Sequence, residues 1–347
     1  MNHDWASFLS EYRQSSPTAT LCGADGIRAL SGPGILCAAE SWSLAQAHGR
    51  DAIAFLQGQL TQDVRRIDRS TSLPAAYCSP KGRVLSTLRL FLHHEDVGLI
   101  LPAERRTAVL ERLSKFILRA DVHLSPTDDR VTFGCAGSEA AGILASVLGI
   151  DLPETPNHAS STPDTTVLRL PAPVARFIVI TTSERAKPLW LGCIEAGLQV
   201  TDDDTWRWLD IAAGAAEIGP TGVETYTPQM LNLQLTDAVS FTKGCYTGQE
   251  VVARTQYLGE VKRRLYRAHI DDTRRPQADV ALWAPGETEA EQTIGRLLTV
   301  SPHPDGGFAA LAVVQVHATA AAEVRLQDEN GPIVTLESLT PDLEEED

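Results

Sequence analysis

Cys245 lies in KGCYTGQEVVAR, residues 243–254, and is one of 6 cysteines in a chain of 347 residues. A thiol does chemistry as its thiolate, either as a nucleophile or as a soft ligand suited to iron, and both roles need a depressed pKa. The spacing offers two means. Thr247 followed by Glu250 and then Val251, Val252 and Ala253 fits an S/T-x-x-E capping box, with Thr247 at the N-cap. Cys245, two residues earlier, would then face the positive end of a helix dipole. Lys243 adds a cation two positions upstream, and Gly244 and Gly248 permit close backbone approach or positive φ. Lys243 and Cys245 are therefore the candidate reactive pair. The competing reading is an inert loop thiol, with Glu250 and Arg254 as a surface i,i+4 ion pair and Gly248 as a turn residue. No histidine within the stretch completes a nucleophile–base arrangement.

The other thiols, Cys22, Cys37, Cys78, Cys135 and Cys193, are scattered without CxxC or Cys/His metal spacing and read mostly as small buried apolar residues. The cluster LHHED, ending His93 to Asp96, falls between two apolar runs and reads as a solvated hairpin tip.

A formal charge of -15 opposes a phosphate backbone or an anionic membrane surface, so neither direct nucleic-acid nor membrane contact is expected. The N-terminal MNHDWASFLSEYRQ lacks a secretory pattern and carries acids that organellar presequences avoid, so the expected compartment is cytoplasmic. The tail PDLEEED, residues 341–347, has the composition of a solvated end. At 347 residues the chain exceeds the size of one hydrophobic core, so two or three domains are expected.

The elements that must position the thiol follow from periodicity. Ile53, Leu56 and Leu60 in GRDAIAFLQGQLTQDV predict an amphipathic helix over 49–64, and GRVLSTLRLFL and VGLILP predict paired strands followed by a helix over 104–118. From about residue 130 the order strand, helix, strand, strand, helix suits a split βαβ layer with helices on one face of an antiparallel sheet. Within it PETPNHASSTPDTT reads as a surface loop, and TWRWLDIAAGAAEIG begins as a helix. Six short candidate strands from Arg264 to about Leu339 suggest a small β-barrel or sandwich.

The stretch PQMLNLQLTDAVSFTKGCYTGQEVVARTQYLGEVKRRL, with the upstream FLQGQLTQDV and SPKGRV and the later FILRADV, resembles the signature of the YgfZ-type folate-binding iron–sulfur cluster assembly factors. That family is similar in fold to the aminomethyltransferase of the glycine cleavage system. The resemblance implies an α+β, three-domain aminomethyltransferase-like fold. Residues 1–120 with 205–262 would form a discontinuous folate-binding core, 121–204 a ferredoxin-like α+β domain and 263–340 a C-terminal small β-barrel. It also implies tetrahydrofolate or a derivative as cofactor, transient contact with an iron–sulfur cluster, and client enzymes or assembly proteins as partners, tRNA-modifying enzymes among them.

Departures from the aminomethyltransferase pattern narrow the function. Where those relatives carry an acidic pair near the folate, KGRVLSTL has Leu85 and Ser86, which argues against glycine cleavage. Where they carry a pterin-clasping acid, LDIAAG has Ala212, leaving Asp210 or Glu217 as its replacement. Three functions stay open: an iron–sulfur accessory factor using Cys245, a one-carbon transferase with Asp63 as its base, and a folate-binding scaffold without chemistry. The resemblance makes Asp63, Lys81, Arg83, Tyr246, Gln249 and Arg254 the candidate folate contacts, with Lys81 and Arg83 meeting the glutamate tail. Tyr246, Trp206 and Trp208 are candidates to stack on the pterin. The bland alternatives are a turn cap for Asp63, solvated charges for Lys81 and Arg83, and core packing for the aromatics.

Overall fold

The computed structural model describes residues 2–15, 20–286, 293–320 and 323–339, so the acidic tail lies outside the described residues. Three sheets carry the architecture. The first is antiparallel and five-stranded, in the order Ser72–Cys78, Val84–His93, Asp96–Pro102, Trp42–His48, His123–Pro126. Its apolar face packs on the helices Ala52–Gln57 and Arg106–Ser114, with Leu56, Leu60, Leu90 and Leu99 fully buried. Each such side chain stabilises the fold by about 1.5–3 kcal/mol. Both helices are shorter than the periodicity predicts. The first ends at Gly58, after which the chain turns through Gln59–Gln62. His93 and Asp96 pair across the expected hairpin, whose tip places His94 at φ 55°.

The second sheet has seven strands. Arg130–Ala136, Arg176–Thr182, Thr165–Leu170 and Ala159–Ser161 run antiparallel, as the split βαβ reading expects, with helices Ala140–Leu148 and Ser183–Glu195 packed on one face. Its other edge differs from that expectation. Ile35–Cys37 and Thr20–Leu21, from the N-terminal region, flank Gln199–Thr201 in parallel pairing. The segment read as a plain loop also contributes Ala159–Ser161 as an edge strand. On the far face, Leu168, Ile178 and Ile180 meet Leu44, Phe91 and Ile100 of the first sheet, and helix Asp203–Ala212 inserts Trp206 and Leu209 alongside. Gly134 makes room for that indole, since a Cβ there would collide with the Trp206 ring.

The third sheet, from Arg263–Ile270 to Val334–Ser338, has six antiparallel strands, and an isolated bridge between Arg325 and Ile333 joins its edges toward a barrel. No helix among the described residues is long and apolar enough to cross a membrane.

Candidate functional site

Three separated sequence stretches meet around Cys245. Gly248, at φ 85°, packs backbone to backbone on the turn of SPKGRV: a Cβ on it would collide with Ser79 O and lie 3.0 Å from Gly82 Cα. Gly82, at φ 66°, meets the side chain of Val251, where a Cβ would lie 2.8 Å from Val251 Cβ. The Thr247 N–H donates to Gly58 O at 3.3 Å, and the Ser240 N–H donates to Thr61 O at 3.0 Å. Lys243 completes the joint. Its Nζ donates to the carbonyls of Gln57, Leu60 and Gln62 at 2.7, 2.7 and 2.8 Å and lies 5.1 Å from the Tyr246 ring centroid. Desolvation pulls this buried ammonium down to about 8.

This geometry corrects one expectation and gives Lys243 a structural duty. Helix Gln249–Leu258 is N-capped by Gly248 without a side-chain hydrogen bond, so Thr247 and Glu250 form no capping box. Lys243 has spent its three donors on carbonyls and has none left for the thiol. It positions the loop. Cys245 itself is exposed. Glu250 and Arg254 form the exposed i,i+4 pair, at 3.4 Å.

The large cavity lies elsewhere, between the first and second sheets, and measures about 510 Å³. Its charged and amide groups are Arg89, Asn157, Arg176, Asp210, Glu217 and Asp237, set among Trp42, Leu88, Ile100 and Ile178. Arg176, fully buried, donates from Nη1 to Asp210 Oδ1 at 2.7 Å and from Nε to Pro171 O at 2.8 Å. Arg89 donates to Ser72 Oγ at 2.9 Å and to Asn157 Oδ1 at 2.8 Å. Burial and the Arg176 charge pull Arg89 down to about 10. Burial raises the Asp210 carboxyl against the pull of Arg176. Burial and the charge of Asp210 push Glu217 up to about 8, while a hydrogen bond with Trp42 opposes this. Arg176 thus engages Asp210 and Arg66 engages Asp237, so Glu217 is the acid left to face a ligand. Ala212 does not line this cavity, whereas both candidate replacements do.

The remaining sequence candidates fall outside the cavity wall. Asp63 caps the short helix Val64–Arg66 and accepts from Gln57 Nε2 at 2.8 Å; Arg65 holds its carboxyl low although desolvation works the other way. Arg83 donates to Thr225 O at 2.8 Å, and Lys81 is exposed at the turn. Tyr246 is buried beside Lys243, and Gln249 opens the helix, so neither lines the cavity. Arg254 and Cys245 are likewise absent from it. Trp206 is core, edge-on to Trp42 at 5.1 Å between ring centroids. Leu85 and Ser86 are buried in their strand, and the residues that reach the cavity from it are Thr87, Leu88 and Arg89.

Trp42, Arg89, Asn157 and Arg176 were not singled out from sequence. An available signal was the arginine inside each of the apolar runs STLRLFL and RFIVITT, since a charge within a buried strand must be paired.

No protein-family model matches the chain. Among solved structures, the glycine cleavage system aminomethyltransferase T from Bartonella henselae superposes with a TM-score of 0.77 and 17% identity, covering 91% of this chain and 88% of that one. The shared fold is therefore the aminomethyltransferase-like α+β fold expected. Among curated relatives, the tRNA-modifying protein YgfZ of Yersinia pseudotuberculosis (strain PB1/+) is 34% identical over 301 residues, 86% of this chain and 89% of that one. The protein of the same name from Yersinia enterocolitica is 32% identical over 318 residues, 90% of this chain and 94% of its own length. Identity at this level over most of both chains shows that the chain belongs to the YgfZ family.

Proposed function

We propose that this protein holds a tetrahydrofolate in the cavity between its first two sheets and uses it, with Cys245, to support synthesis or repair of iron–sulfur clusters in client enzymes. The observation that carries the folate half is the pairing of Glu217 with an apolar, Trp42-walled space of about 510 Å³. That volume lies within the usual range for ligand pockets. The aminopyrimidine edge of a pterin presents N–H donors in a row, and a carboxylate is the acceptor that matches them. Glu217, pushed up to about 8, holds a proton at neutral pH and gives it up when such donors arrive. Arg89 and Arg176 add positive charge to the same wall.

The thiol half rests on exposure. Cys245 is reachable by another protein, and a single thiolate can ligate iron only when partners complete the set. The cluster is then cargo, shared with the client. The Yersinia relatives are named as tRNA-modifying proteins. With a formal charge of -15, we read any such influence of this chain as acting through iron–sulfur tRNA-modifying enzymes rather than through direct RNA contact. The absence of an acidic pair at Leu85 and Ser86 removes the observation that would favour aminomethyl transfer.

Two titrations test this. Tetrahydrofolate binding near pH 7 should release a proton, seen as a heat that depends on the buffer's ionisation enthalpy, and Glu217→Gln should weaken binding and abolish that dependence. Cys245→Ser should keep folate affinity and lose support of client iron–sulfur activity. Unchanged folate binding in the Glu217 variant, or full client support by the serine variant, defeats the corresponding half.

A further inference from the structure

Helix Asp203–Ala212 has a second hollow on its other side. Trp208, Ile211 and Ala212 close a recess of about 200 Å³ against the six-stranded sheet. Strand pairing lays out its floor: His269 stands opposite Thr335 on one side and Ala309 on the other, and Arg267 stands opposite Glu337. His303 meets His269 edge-on, with ring centroids 4.7 Å apart.

Arg267 ties the parts together. Its Nη1 donates to Ala212 O at 3.2 Å, which serves a free carbonyl at the helix C-terminus, and its Nη2 donates to Glu337 Oε1 at 2.6 Å. The structural duty leaves a surplus. A guanidinium carries five N–H donors, and these two bonds use one on each terminal nitrogen. His303 Nδ1 accepts from the Asp305 N–H at 3.2 Å, so its neutral ring carries the proton on Nε2. Among the described residues neither ring nitrogen of His269 makes a hydrogen bond. Three basic side chains therefore face Glu337 beside an apolar wall, with the Asp305 carboxylate 4.0 Å from His303 Nδ1, in a chain whose net charge is -15.

We infer that this recess is a second binding site, for a small organic carboxylate whose apolar body lies against Trp208, Ile211 and Ala309. Its carboxylate accepts from Arg267, His269 and His303. A volume of 200 Å³ corresponds to about seven waters, room for one ring bearing one carboxylate. The apolar wall selects against a fully hydrated inorganic anion.

Benzoate is the probe, added to the full chain with histidine rings isotopically labelled for NMR. His269 and His303 are two of 9 histidines, and the signal that disappears in each single His→Ala variant assigns its ring. The expected result is a saturable shift confined to those two rings. Benzamide, isosteric and neutral, should give none, and inorganic phosphate should not displace benzoate. Arg267→Gln should weaken binding about tenfold, the usual size for a lost charge-assisted hydrogen bond. His303→Ala, at the rim, should also weaken it while leaving the melting temperature unchanged, which covers the case of an unstable Arg267 variant. Equal responses to benzamide, ready displacement by phosphate, no saturable shift at either ring, or unaltered affinity in both variants would each overturn the assignment.

Discussion

Lys243→Met is the sharpest probe of the joint that carries Cys245. The substitution keeps an unbranched stem and removes the ammonium, so the carbonyls of Gln57, Leu60 and Gln62 lose their shared donor. Each orphaned buried acceptor costs about 1–3 kcal/mol. Against this, the variant escapes the penalty of burying the charge. That penalty is the fall from 10.5 to about 8, or roughly 3 kcal/mol. The net expectation is a loss of about 3 kcal/mol, with hydrogen exchange accelerated at the amides of residues 58–62. Lys243→Arg should not rescue it, because a planar guanidinium cannot meet three converging carbonyls.

The pH dependence supplies a second readout. The unfolded chain keeps this proton up to 10.5, whereas the folded lysine releases it near 8, so between these values the unfolded state binds more protons and stability rises with pH. The penalty is fully present below 8 and relieved above 10.5. Wild type minus Lys243→Met, compared by urea unfolding across this window, should therefore gain up to about 3 kcal/mol. A variant as stable as wild type, or parallel pH profiles, would refute the reasoning.

Gly248→Ala should lower the unfolding midpoint by at least the 1–2 kcal/mol of an α-left conformation, with the collision against Ser79 O added, and a thermal melt checks it. Arg176→Met should destabilise by about 3–5 kcal/mol by stranding the Asp210 carboxylate, and adding Asp210→Asn should recover part of the loss in the double variant. For Glu217 the sign is opposite to that of Lys243. The folded acid holds its proton to about 8 and the unfolded one only to 4.5, so its contribution falls as pH rises between those values, and Glu217→Gln should flatten the decline in chemical denaturation.

Local patterns carried much of the fold into the sequence. The alternation in RFIVIT, the heptad-like spacing of Ile53, Leu56 and Leu60, and the polar break at His93–Asp96 each mark an element that exists, because burial of one face is a short-range property. What lay beyond reach was partnership between distant segments. Thr247 and Glu250 have capping-box spacing, yet the turn at Ser79–Gly82 presses so close that a left-handed Gly248 takes the N-cap. Lys243 is near Cys245 in sequence, but its ammonium is claimed by carbonyls more than 180 positions away. The cavity was harder still. Asn157 comes from a Pro/Ser/Thr-rich stretch, and Arg89 and Arg176 come from different sheets, so only the assembled layers bring them together.

The glycines at 82 and 248 have a consequence for how this protein can change. Each sits where the other's chain leaves no room for a side chain, and each has a backbone hand that disfavours one. At Gly248 a second mutation elsewhere cannot repair the first, because the missing space is bounded by main-chain atoms of Ser79 and Gly82, whereas at Gly82 the nearest atoms belong to the Val251 side chain. The exposed side chains around the thiol, Arg254 and Lys81 among them, lie outside this constraint, so they can be exchanged while the clasp beneath stays as it is.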